Sequence, residues 1–464
     1  METKDVVWIE CSGCGQRVPL TEPHPFACPA RREGDDVDHV LVRQLEARRV
    51  RFPTAPRGNP YLDFAELMTP LHRAHALGVG EVDFRRMVKE LDDAVAEVDG
   101  QGFRPTPWMS LPELAAGLGD PRMLLWAKDE TTNVGGSHKA RHLMGVMIHL
   151  RLAELAGLAD PGARPPLAIA SCGNAALGAA VVARAARWPL RVFVPTDAEP
   201  AVLERLHALA AEVHPCPRDD QPGDPSVRAF RAALREGALP FSVQGSDNGM
   251  AVEGGLTLGY ELAEQVRTGP GRLDVLVVQV GGGALASACL HALRDAVALG
   301  VLPAMPRLCT VQTHGAYPLH RAYEAIASVI QGTATPPADA RARADWLQQR
   351  GAASIDAALR HAATHRSAYM WPWELEPHSV AHGILDDETY DWWALCEGMI
   401  HTGGWPEVVD EDTLIAAREA VALRTEVTAT ATATAGVAGV LAMRRAGRLR
   451  PGEVVGTLLT GVVR

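Results

Sequence analysis

Cysteine is scarce: the 464-residue chain has eight, at positions 11, 14, 28, 172, 216, 289, 309 and 396. They are too few and too scattered for a disulfide scaffold, and only the first three cluster. Positive charge is also short, with 45 Lys and Arg against 56 Asp and Glu and a formal net charge of -11. No basic run is interleaved with aromatics, which argues against nucleic acid or an anionic membrane surface as partner and leaves a small molecule. Long hydrophobic runs are missing too. The most apolar stretch, residues 166–186, is broken by Ser171 and Asn174 and reads as a strand plus a helix, not a membrane span. The start METKDVVWIECSGCG lacks a basic region followed by an apolar one, so no signal peptide is expected and the expected location is cytoplasmic. What remains, 47% hydrophobic and 22% charged, is the composition of a globular protein with two or three domains.

The clustered cysteines open the chain. Cys11-x-x-Cys14 is followed by His24-x-x-x-Cys28, and these four would supply the tetrahedral S and N ligands that zinc takes. The alternative is a reduced knuckle whose cysteines pack as small hydrophobes, since Arg31 stands where a second CxxC would end. Residues 81–95 carry an amphipathic helix pattern expected to cover the larger domain.

The stretch Lys128–Arg141, KDETTNVGGSHKAR, lies between a strand-like run at 123–127 and apolar residues at helical spacing. Gly135, Gly136 and Ser137 then form a strand-to-helix turn with Lys139 at its mouth. Burial and a helix N-terminus would both lower the lysine pKa towards a nucleophilic amine suited to Schiff-base chemistry. A surface lysine in a capping loop, with Ser137 as N-cap, is the other reading.

Further on, strands and helices alternate, which calls for an α/β fold with parallel sheets covered on both faces. Three strand ends carry polar or glycine-rich punctuation. Ser171, Cys172, Gly173 and Asn174 open a helix after a buried strand and offer a seat for a carboxylate. Gly281, Gly282 and Gly283, followed by Ala284 and Leu285, can bring backbone N–H groups and a helix dipole onto a phosphate. Thr460 closes the last strand. The Ala-Thr repeat at 429–435 precedes an expected helix at 436–443, and residues 332–367 read as a helical excursion.

A Schiff-base lysine, a carboxylate seat, a phosphate cradle and a terminal hydroxyl, all at strand C-terminal ends, together describe a pyridoxal phosphate site. From about Phe103 onward the chain resembles the fold type II pyridoxal phosphate enzymes, the tryptophan synthase β-like superfamily that includes threonine synthase and threonine dehydratase. GGSHKAR resembles the family's GSxKxR, SCGN its SxGN, and LDVLVVQVGGGAL its phosphate-loop strand. The resemblance implies two open, twisted, mostly parallel sheets flanked by helices, with a small Cys-containing N-terminal segment. The expected division is a zinc-ribbon-like segment over 1–45, a large cofactor-binding domain over 46–145 and 266–464, and a small α/β domain over 146–265.

It also implies roles. Lys139 would hold the cofactor covalently, Asn174 would bond the pyridine 3-oxygen, and Gly281 to Leu285 would hold the phosphate. Ser137, Ser171, Cys172 and Gly173 would seat the substrate, and Thr460 would face the pyridine nitrogen. A neutral hydroxyl there leaves the ring a milder electron sink, which favours elimination over transamination. His138 would assist the leaving group or serve as a structural imidazole. A homodimer is expected on the same ground.

Some pieces look like threonine synthase, among them HSVAHGI at 378–384 and the LTG ending. Others depart from it: Val134 and Gly135 replace a proline and threonine, and Ala251 falls where the substrate-phosphate arginine would align. The reading is therefore a lyase that performs β-elimination or β-replacement on a small L-amino acid. Threonine synthase acting on O-phosphohomoserine is the alternative, and a non-catalytic binding protein on the same fold is a third.

Overall fold

The computed structural model describes residues 5–56, 58–221 and 223–463. Its strands are β1 (Val7–Cys11), β2 (Arg17–Val18), β3 (Leu41–Leu45), β4 (Trp108–Ser110), β5 (Leu124–Asp129), β6 (Leu167–Ala170), β7 (Leu190–Pro195), β8 (Glu212–Cys216), β9 (Leu239–Pro240), β10 (Val275–Gln279), β11 (Arg307–Thr313), β12 (Pro406–Val409) and β13 (Val454–Leu459). They form three sheets, ordered β2-β1-β3, β12-β11-β10-β13-β5-β4 and β8-β7-β6-β9. The six-stranded sheet is parallel except for β4, and the four-stranded sheet is parallel throughout. The N-terminal sheet is antiparallel. This is the expected architecture of two mostly parallel sheets with a small cysteine-bearing segment in front.

The helices that matter for the site are α1 (Glu81–Asp99), α2 (Lys139–Leu155), α3 (Asn174–Ala185), α4 (Met250–Thr268), α5 (Ala284–Ala298) and α6 (Ala431–Arg445). Strand β10, VLVVQ, is buried at every position, as a parallel strand covered on both faces must be. On one side it meets α6, whose Gly436 and Gly439 let the helix backbone approach Thr457 and Val311 closely. The Ala-Thr repeat does not merely precede that helix. It starts at Ala431, where the Thr430 hydroxyl accepts from the Ala433 N–H at 3.1 Å, a threonine N-cap.

Helix α1 departs from expectation by packing on α3, beside the four-stranded sheet. Its stripe of Phe84, Val88, Leu91 and Val95 joins the core shared with that sheet, and the alanine-rich face of α3 allows the close approach. Residues 332–367 contain two helices, Ala340–Gln348 and Ala352–Thr364, whose apolar faces join the larger core. Among the described residues no helix is long and apolar enough to cross a membrane.

Candidate active site

Strand β5 delivers the chain to a turn at 134–138, where Gly135 and Gly136 both adopt φ of 64°. Glycine reaches that left-handed region without the Cβ penalty. Lys139 is the first residue of α2. Burial lowers its amine below the usual lysine range, against the opposing pull of Asp386 and Asp391. Ser137 is not the N-cap; that position belongs to His138, which makes no side-chain capping bond. The Ser137 hydroxyl is fully buried and has no hydrogen-bond partner.

The other predicted residues gather around this turn. Gly178 of α3 lies so near that a Cβ on it would be 3.0 Å from the Ala140 nitrogen, which brings the Ser171–Asn174 loop beside Lys139. Gly461 bridges Ser137 and lies against the Asn174 amide. The Thr460 carbonyl accepts from the His138 N–H at 3.3 Å and from His138 Nδ1 at 3.2 Å. A carbonyl can only accept, so the Nδ1 tautomer carries the proton. Burial, with Lys139 and His142 nearby, drives the His138 pKa well below the ordinary histidine value, so the ring is neutral.

Cys172 is solvent-exposed. Partial desolvation by the protein around it, with Asp224, Asp197 and Glu199 nearby, still raises the thiol pKa, and a protonated thiol is a poor nucleophile. Gly173 precedes α3, and Asn174 is the first residue of that helix.

Gly281, Gly282 and Gly283 follow β10, and Gly283 at φ 103° opens α5. The side chains of Ala284 and Leu285 are buried in the core, so only their backbone N–H groups face the turn. Segment 384–391 lies across this loop. A Cβ on Gly281 would overlap the Asp386 carboxylate, one on Gly282 would meet the Tyr390 ring, and one on Gly283 would meet Asp391. The Asp386 carboxylate therefore already stands where the loop would grip an anion. Burial pushes the Asp386 pKa up to about 6 and that of Asp391 to about 8.

Sequence reasoning missed Asp386, Asp391 and Gln279. Gln279 Nε2 donates to Thr460 Oγ1 at 3.0 Å and to the Ala433 carbonyl at 2.8 Å, while its Oε1 is buried without a partner. With its oxygen accepting from Gln279, the Thr460 hydroxyl keeps its own proton for an acceptor. A lone glutamine in an otherwise apolar strand was the available signal.

Beneath the turn lies a buried ionic quartet. Arg141 reaches Glu130 at 2.8 and 3.0 Å and Glu261 at 2.6 and 3.1 Å, and Lys128 reaches Glu261 at 2.7 Å. Two cations balance two carboxylates in a site shut off from water.

At the N-terminus, Cys11, Cys14 and Cys28 converge as expected, but His24 does not join them. His24 sits between Pro23 and Pro25 with its ring stacked on Phe26 at 5.6 Å. His39, returning just before β3, takes the fourth place.

The orphaned Ser137 hydroxyl, the glycine loop gripping a carboxylate, the Thr460 hydroxyl and the lysine at a helix start fit pyridoxal phosphate. Fold and site together thus define an α/β protein of the pyridoxal phosphate-binding class. A family model described as pyridoxal-phosphate dependent enzyme matches residues 100–366, and the chain belongs to that family. The match takes in Lys139, Asn174 and the glycine loop; Asp386, Asp391 and Thr460 lie beyond it.

No curated protein matches the sequence. Among solved structures, a threonine deaminase from T.th. superposes with a TM-score of 0.55 at 20% identity, over 81% of this chain and 98% of that one. The processed form of threonine deaminase isoform 2 from Solanum lycopersicum gives 0.55 at 15%, over 83% and 86%. Diaminopropionate ammonia lyase from Escherichia coli gives 0.54 at 17%, over 82% and 88%. At these identities the likeness establishes a shared fold.

Proposed function

We propose that the chain is a lyase or β-replacement enzyme acting on a small L-amino acid. The observation that carries this reading is the buried Thr460 hydroxyl, oriented by Gln279 Nε2 at the end of the last strand, which would face the cofactor's ring nitrogen. Bound pyridoxal phosphate would supply the carbonyl that takes the substrate amine and the conjugated ring that accepts the electron pair left at Cα. A ring facing a hydroxyl stays unprotonated and draws electrons mildly, which suits loss of a β-substituent better than transamination.

Lys139 would hold the cofactor through Nζ, the N–H groups of Gly281 to Leu285 would take its phosphate, and Asn174 would bond the ring hydroxyl. The substrate carboxylate would seat on the Ser171–Asn174 loop, where the helix N-terminus favours an anion. Lys139, its amine depressed by burial, takes the α-proton at Nζ. Asp391, protonated up to about pH 8, holds a proton near that amine. His138 is neutral and spends its Nδ1 proton on Thr460, so we assign it a positioning role in place of leaving-group assistance. Nothing in this chemistry is asked of the N-terminal Cys/His cluster. The unit 146–265 would supply the carboxylate loop, and 46–145 with 266–464 the cofactor grip, in a homodimer that light scattering would check.

The threonine synthase alternative lacks support at position 251. Ala251 is fully buried, and its carbonyl accepts from His142 Nδ1 at 2.8 Å, so no guanidinium stands there to grip a substrate phosphate. The deciding experiment is a visible-spectrum titration of the cofactor-loaded protein with serine, threonine, O-acetylserine, O-phosphoserine and O-phosphohomoserine, with Lys139→Ala as control. Spectral change and keto-acid release with serine or its esters, and none with O-phosphohomoserine, is the expected result. Conversion of O-phosphohomoserine to threonine would overturn the proposal in favour of threonine synthase. A Lys139→Ala protein that behaved like wild type would remove the site altogether.

A further inference from the structure

We infer that Cys11, Cys14, Cys28 and His39 hold one structural zinc ion, with Asp35 orienting the histidine. The four ligand atoms all lie within 4.8 Å of one another. Zinc–sulfur bonds of about 2.3 Å in a tetrahedron place two sulfurs about 3.8 Å apart, and sulfur and imidazole nitrogen about 3.6 Å apart. Cys14 and Cys28 sulfurs stand 3.7 Å apart, and Cys11 Sγ and His39 Nδ1 stand 3.4 Å apart. Both separations are those of tetrahedron edges, and the first is far too long for a disulfide.

One further feature belongs to a metal centre. The other ring nitrogen of His39, Nε2, lies 3.2 Å from Asp35 Oδ2. Carboxylate to imidazole to metal is the arrangement that fixes the tautomer of a zinc-bound histidine and raises its basicity. Gly13 packs so closely on the Asp38 carbonyl that a side chain there would collide with it, which holds the CxxC turn against the segment bearing His39.

The ion would clasp two distant parts of the chain to the catalytic body. The Phe26 carbonyl, two residues before Cys28, accepts from the Gly249 N–H at 2.9 Å at the start of α4. Asp38, adjacent to His39, accepts from Trp392 Nε1 at 3.1 Å, and its own N–H donates to the Ala363 carbonyl at 2.8 Å. Trp392 follows Asp391, so the clasp ends beside the segment that lies over the glycine loop.

The test measures zinc per chain by mass spectrometry in the purified full-length protein, and follows zinc release as thiols are titrated with a mercurial. Wild type is expected to carry one zinc and to release it as three thiols react. Cys28→Ser and His39→Asn should lose the metal, His24→Asn should keep it, and Asp35→Asn should weaken it by about 10- to 100-fold. Cobalt(II) added to the metal-free protein should give the intense visible bands of a tetrahedral thiolate site, a readout independent of pyridoxal phosphate. Retention of the cofactor absorbance by the variants checks that they fold. Wild type that holds no zinc and takes no cobalt, a thiol count short by one oxidised pair, or zinc lost by His24→Asn and kept by His39→Asn would each overturn the assignment.

Discussion

Replacing Arg141 with methionine tests whether the ionic quartet supports the lysine turn. The side chain makes four bonds to Glu130 and Glu261, and its loss turns a neutral buried group into one of net charge -1. Breaking a buried pair by removing one partner costs about 3–5 kcal/mol, because the remaining charge has neither water nor a counter-ion. For a chain of 464 residues unfolding cooperatively, the entropy of unfolding is about 1 kcal/mol per degree, so the Tm should fall by about 3–5 °C. The assay is calorimetric or fluorescence-monitored melting of the cofactor-free protein. A second variant separates charge from packing: Arg141→Met with Glu130→Gln leaves Lys128 facing Glu261 alone and should recover roughly half of the loss. A single-variant shift under about 1 °C, or a double variant no more stable than the single, would refute the reasoning.

The acids over the glycine loop carry a pH signature. Asp386 and Asp391 are raised from 3.8 to about 6 and about 8 by burial, so the folded state binds more protons than the unfolded one across that range. Their contribution therefore lowers stability as pH rises from 3.8 towards about 8, and Asp391→Asn should flatten the upper part of that decline in melts of the cofactor-free protein. Gly281→Ala places a methyl group on the Asp386 carboxylate and should abolish retention of pyridoxal phosphate after gel filtration, with a melting point near that of wild type. Gln279→Met removes the donor that orients the Thr460 hydroxyl. It should lower kcat for the proposed elimination about 10-fold or more with little change in KM, as expected for an interaction that matters in the transition state.

Much of the site was legible because its signals are local. A strand, a glycine or polar turn and a helix start are written close together, and GGSHKAR, SCGN and GGGAL each carry the turn and the helix start a few residues after a strand. Asp386 and Asp391 escaped because nothing within 378–391 says which distant loop the segment will cover; only the tertiary fold brings it to Gly281. His39 escaped for a related reason. Ligand spacing suggested the nearer histidine, whereas the chain closes the cluster by returning into β3, which pairs with β1 across the whole of Val7–Cys11. The packing of α1 on α3 was likewise invisible, since an amphipathic stripe declares that a helix has a buried face without naming what buries it.

Strand β13 lies in the middle of the six-stranded sheet, between β10 and β5, yet it follows every other strand in the chain. As the polypeptide leaves the ribosome, β5 with β4 and β10 with β11 and β12 form two half-sheets, each with an open edge that only residues 454–459 can join. The glycine loop and the lysine turn sit on opposite sides of that seam, so the cofactor pocket is among the last parts of the molecule to exist. Pairing Leu124 with Val454 closes a loop of more than three hundred residues, a slow step by any topological measure. During that wait the two open edges can pair with their copies on neighbouring chains, a route to aggregation that the cofactor cannot block before the seam closes.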